Sequence, residues 1–119
     1  MTKKFLILVS IGVIILGGAI FFFSRDNQPV DTSGIILFYS SGCPHCAKVD
    51  QFIEENNVAS KVKFVRKEVF YNRKNADLLL KLARGCGIAD KDIGVPLLWD
   101  GSKCIVGEVD IINFFTEKT

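Results

Sequence analysis

Ile35-Ile36-Leu37-Phe38-Tyr39-Ser40-Ser41-Gly42-Cys43-Pro44-His45-Cys46 carries a continuous apolar run straight into two thiols set one helical turn apart. Ile35 to Tyr39 mixes β-branched and aromatic residues without alternation, the pattern of a central strand covered on both faces. Proline needs no amide hydrogen in the first helical turn and presets φ, so Pro44 marks a helix start with Cys43 at its amino-terminal mouth. The unpaired amides there present partial positive charge, which favours a thiolate. Cys43 is therefore the expected nucleophile and Cys46, one turn in, the resolving thiol.

Downstream, Pro44 to about Asn57 predicts a helix with Val49, Phe52 and Ile53 on one side and Lys48, Asp50, Glu54 and Glu55 on the other. Val62 to about Val69 begins with alternation and predicts a strand nearer a sheet edge. Asn72 to Arg84 predicts a second helix, with Asn72 as its amino-terminal cap, Leu78, Leu79 and Leu82 on its apolar face and Gly85 as its stop. Two strands flanking one helix imply a parallel crossover. Pro96 to Trp99, the turn Asp100-Gly101-Ser102 and Lys103 to Val106 form a hairpin signal, and Val109 to Thr116 predicts a last short helix. The expected class is α/β, in the order β-α-β-α-β-β-α.

Upstream, Phe5 to Phe23 is a 19-residue stretch without a charge, preceded by Lys3 and Lys4. That length predicts one transmembrane helix. Gly17 and Ala19 mimic a signal-peptide cleavage site, but cutting there would leave Ile20-Phe21-Phe22-Phe23 as an exposed apolar terminus, so an uncleaved anchor is the reading. The expected division is a cytoplasmic stub and membrane anchor over 1–25, a polar tether over 26–34 and one domain over 35–119. The basic side of the span stays in the cytoplasm, which sends the domain outside, where disulfides persist.

The chain has 119 residues, enough for one small domain beside the anchor, and a net charge of +2. Lys3, Lys4 and Arg25 account for the excess: without them 12 basic residues face 13 acidic ones, a net of −1. Lys61, Lys63, Arg66, Lys67, Arg73 and Lys74 cluster loosely, but Glu68 and apolar positions interrupt them, as on a solvated strand edge. No nucleic-acid partner is expected.

The element order and the helix-start dithiol together resemble the thioredoxin fold in its minimal, glutaredoxin-like form, over about residues 35–116. Phe38 to Cys46 is similar to the glutaredoxin strand and active-site turn, with His45 where tyrosine is usual. Val95-Pro96 matches the family's valine and cis-proline pair, and Cys104 to Asp110 resembles its late glycine and aspartate segment. The resemblance implies a four-stranded mixed sheet and thiol–disulfide exchange without a cofactor. It places Cys43, Pro44, His45, Cys46 and Pro96 in the catalytic part and Tyr39, Val95, Gly107 and Asp110 in substrate binding. Pro96 in the cis form would pack against the dithiol and leave the Val95 backbone free to pair with an extended substrate chain.

Ser40 and Ser41 stand where glutaredoxins carry a lysine, Gly94 replaces a threonine, and Val106 replaces a glycine, which weakens any expectation of glutathione binding. Cys-Pro-His-Cys is the sequence of the periplasmic disulfide-forming oxidases, whose inserted helical domain this chain has no room for. A protonated His45 beside Cys43 would favour the reduced thiolate and make the disulfide more oxidising. The leading expectation is a membrane-tethered oxidase or isomerase that exchanges disulfides with protein thiols outside the cytoplasm. A reductase fed by a membrane redox partner would use the same residues. Copper or zinc binding by the two thiolates and His45 is a further alternative. Cys86 and Cys104 stay open between a structural disulfide and a pair of buried thiols.

Overall fold

The computed structural model describes residues 2–23 and 29–119, with the backbone alone over 19–23. The chain divides into two compact units, Met1–Val30 and Asp31–Thr119.

In the first unit α1 spans Thr2–Phe23. The expected transmembrane helix is not found: among the described residues no helix is long and apolar enough to cross a membrane. The described apolar side chains of α1 run from Phe5 to Gly18. The remainder of the expected span is 19–23, whose side chains lie outside the described residues, as do tether residues 26–28.

The second unit is a four-stranded sheet between helices. Its elements are β1 (Ile35–Tyr39), α2 (Pro44–Glu55), the short α3 (Val58–Lys61), β2 (Phe64–Glu68), α4 (Arg73–Gly85), β3 (Leu97–Trp99), β4 (Cys104–Val106) and α5 (Glu108–Lys118), with a 3₁₀ turn at Asp90–Asp92. The strands lie in the order β2-β1-β3-β4. β1 runs parallel to β2, matching Tyr39 with Glu68, and antiparallel to β3, matching Phe38 with Leu97. The sheet is therefore mixed, with β1 inside and β2 at an edge, as the patterning predicts.

Two cores explain why β1 is apolar throughout. Ile36 and Phe38 point to one face and pack with Leu97 against Leu78, Leu79 and Ala83 of α4. Leu37 points to the other, where Leu98, Val49 and Ile53 of α2, and Ile111 and Phe115 of α5 close around it. A polar residue at any of these three β1 positions would be buried without a partner.

Several boundaries move. β2 starts at Phe64 because Val58–Lys61 closes into α3, with Asn57 in the left-handed region before it and Val62 buried behind it. Asn72 caps α4 by accepting the Asn75 N–H at 3.1 Å. Gly85 is the helix's last residue, and the chain turns away at Gly87, at φ +81°. The compact unit begins at Asp31, inside the expected tether. Thr32 O accepts the Trp99 Nε1–H at 2.8 Å, and Ser33 O lies so near Gly101 that a Cβ there would sit 2.7 Å away. Only glycine admits that approach, at a φ of +102° that also suits it.

Candidate active site

β1 delivers the chain to a short turn, Ser40–Cys43, in which Gly42 adopts φ +77°. Cys43 is the amino-terminal cap of α2, with extended backbone (φ −85°, ψ 114°), and Pro44 follows in the first turn. The Cys46 N–H donates to Cys43 Sγ at 3.2 Å, so the sulfur takes the role that a serine or aspartate oxygen fills at an ordinary helix start. An N–H donor aimed at sulfur interacts more strongly with a thiolate than with a thiol. Cys43 is half-buried and Cys46 only 3% exposed; both are free thiols. Burial, reinforced by the hydrogen bond to Cys43, pushes the Cys46 thiol up from 9.0 to about 12. The two sulfurs thus differ by position: one sits at the helix mouth, the other is protonated inside it.

Val95 and Pro96 face this dithiol. The bond between them is cis, Pro96 is buried, and Cys43 Sγ lies 3.9 Å from Val95 O. Beside them opens a cleft of about 510 Å³ that brings together His45, Val95, Pro96, Gly107 and Asp110. Gly107, at φ +90°, starts α5 and donates its N–H to Pro96 O at 3.1 Å, which fixes the spacing across the cleft. Tyr39 does not line it; its carbonyl accepts the Val69 N–H at 2.9 Å in continuation of the β1–β2 pairing.

His45 has a carboxylate partner. Its Nδ1 lies 2.7 Å from Glu108 Oε2, and Lys48 Nζ is 3.6 Å from Glu108 Oε1. The hydrogen bond from His45, with Lys48 in support, holds the Glu108 carboxyl below its ordinary range. Sequence reasoning missed Glu108. It stands 63 positions from His45, and an acidic residue in the first turn of a helix needs no other explanation than the helix dipole.

Glu68 was also missed. Partial desolvation raises its carboxyl, but the backbone amides of Tyr71, Phe70, Ser41 and Asn72 outweigh that and hold it below the usual range. Cys86 and Cys104 form a disulfide, with Cα atoms 6.1 Å apart, joining the end of α4 to β4 and deciding between the open alternatives. Among the described residues no three histidine, cysteine or acidic side chains come together as a metal site. The copper or zinc alternative lacks a third ligand there, because His45 turns to Glu108.

A dithiol at the mouth of the helix after the central strand, opposite a cis-proline on a β2-β1-β3-β4 sheet, is the layout of the thioredoxin fold. The chain is similar to oxidised glutaredoxin 2 from Chlamydomonas reinhardtii, at 17% identity and a TM-score of 0.51, over 72% of this chain and 76% of that one. It also aligns with the reduced C-terminal domain of DsbD from Neisseria meningitidis, at 22% identity and a TM-score of 0.47, over 75% of this chain and 83% of that one. No protein-family model matches the chain, and no curated protein matches it in sequence.

Proposed function

We propose that the protein is a thiol–disulfide oxidoreductase that exchanges disulfides with protein substrates through Cys43 and Cys46. The observation that carries this reading is the asymmetry of the two thiols: Cys43 caps α2 with its sulfur accepting an amide hydrogen, while Cys46 is buried and protonated. In the oxidising direction a substrate thiolate attacks Cys43 Sγ, forming a mixed disulfide and expelling Cys46, which takes up a proton. A second substrate thiolate then attacks the substrate sulfur of that bond and releases Cys43. The substrate has lost two electrons and the enzyme has become a dithiol.

The domain works outside the cytoplasm and is tethered to a membrane by its apolar amino-terminal segment. Supporting this are the basic flank at Lys3 and Lys4, the uncharged stretch over 5–23 and the Cys86–Cys104 disulfide, a bond that persists in oxidising compartments. Oxidase or isomerase work is favoured by His45 within Cys-Pro-His-Cys. A reductase is the second reading, favoured by Glu108, whose negative charge offsets that of a protonated His45. The reduction potential separates the two: about −120 mV is typical of a periplasmic oxidase and about −270 mV of thioredoxin.

Cys46→Ser tests the whole reading, because it leaves Cys43 able to form a mixed disulfide but removes the thiol that resolves it. Trapping in cells is expected to capture extracytoplasmic proteins on Cys43. Capture of cytoplasmic proteins alone would overturn the location, and capture of none would overturn the enzyme.

A further inference from the structure

The carboxylate at the end of β2 holds the loop that follows it. Glu68 Oε1 accepts the Phe70 N–H at 2.7 Å and Oε2 the Tyr71 N–H at 2.9 Å. Glu68 is matched with Tyr39 across the parallel β1–β2 pair, and the Val69 N–H donates to Tyr39 O at 2.9 Å. The loop after β2 therefore leaves the sheet beside the turn that carries the reacting sulfur. It holds two large rings out in solvent: Phe70 is 71% exposed and Tyr71 79%, packed edge-on with centroids 4.8 Å apart.

We propose that Phe70 and Tyr71 dock the polypeptide flanking a substrate cysteine, and that the preferred substrate is an extended, unfolded chain with apolar side chains next to that cysteine. The inference rests on the exchange reading above and names its substrate class. Continuity with the site supplies the occupant: a sulfur bonded to Cys43 brings its neighbouring residues over the loop that leaves β2 beside that turn. The rings suit that role because aromatic side chains are rigid anchors of large area, and a backbone already held by Glu68 has little freedom left to lose on binding. A small thiol has no flanking chain to place there.

The test uses the full chain in lipid nanodiscs, with Cys43 and Cys46 oxidised. Single-turnover oxidation is followed for two dicysteine peptides, one with leucine and phenylalanine flanks and one with serine flanks, and for dithiothreitol. In each case the dithiol supplies two electrons and emerges as a disulfide, while Cys43–Cys46 becomes a dithiol. The wild type is expected to oxidise the apolar peptide about tenfold faster than the serine peptide. The double variant Phe70→Ser, Tyr71→Ser should lose that preference and keep its dithiothreitol rate. Should the double substitution slow dithiothreitol as well, Tyr71→Gln alone carries the comparison. Equal peptide rates in the wild type, or a preference that survives substitution, overturn the proposal. If a spin-labelled lipid broadens the resonances of these two rings while the preference survives, the pair is a lipid contact and the proposal also falls. A wild type inert toward dithiothreitol would instead sink the exchange reading.

Discussion

Cys46 is chemically distinct from Cys43 because of where α2 puts it: inside the first turn, against the core, where an anion would lose its water. Its thiol keeps a proton to about pH 12 in the folded reduced protein, against 9.0 for an ordinary cysteine. Between those values the unfolded chain binds fewer protons, so stability falls as pH rises, by at most about 1.4 kcal/mol per pH unit. Urea unfolding at pH 8 and pH 10.5 is expected to show a larger loss for the reduced wild type than for Cys46→Ser. Equal losses would contradict the burial argument. Glu108 acts at the same scale. Its carboxylate cancels much of the charge that a protonated His45 presents to Cys43, so Glu108→Gln should make the disulfide more oxidising. Both groups are partly solvated, and the expected change at pH 6 is about threefold in the equilibrium with glutathione, about 14 mV. A shift in the opposite direction would rule out the counter-charge role.

Among the elements, α4 is tied at both ends. Asn72 caps its start, the Asn75 side chain donates to Glu68 O at 2.8 Å, and the Cys86–Cys104 bond secures its end to β4. These ties hold the helix over the face of the sheet where Ile36, Phe38 and Leu97 are buried. The disulfide closes a loop of sequence separation 18, for which the chain-entropy estimate is about 3 kcal/mol. Cys104→Ser should therefore lower unfolding free energy by about that amount in a denaturant titration and leave exchange at Cys43 intact. Loss of exchange at an unchanged stability would mean that this second pair belongs to the redox chemistry.

For the whole molecule, what could be read in advance and what could not divide by distance along the chain. The uninterrupted apolar run of β1, the proline after Cys43, the cap at Asn72 and the turn at Asp100-Gly101 act within a few residues, so their elements and the placing of the dithiol at a helix mouth were legible. The order β-α-β-α-β-β-α was legible in the same patterning, whereas the cis form at Pro96 followed from resemblance. The start of the compact unit was misplaced because it depends on Trp99 reaching Thr32, 67 positions away. The pairing of His45 with Glu108 and the joining of Cys86 to Cys104 were equally out of reach. Local sterics, capping and hydrophobic periodicity act on neighbours, and they sufficed to choose the four strands, the longer helices of the domain and the sulfur at the helix mouth, though not the short α3. Partners for charges and sulfurs on different elements are selected by how the helices pack on the sheet, so the tertiary structure alone decided what surrounds that sulfur.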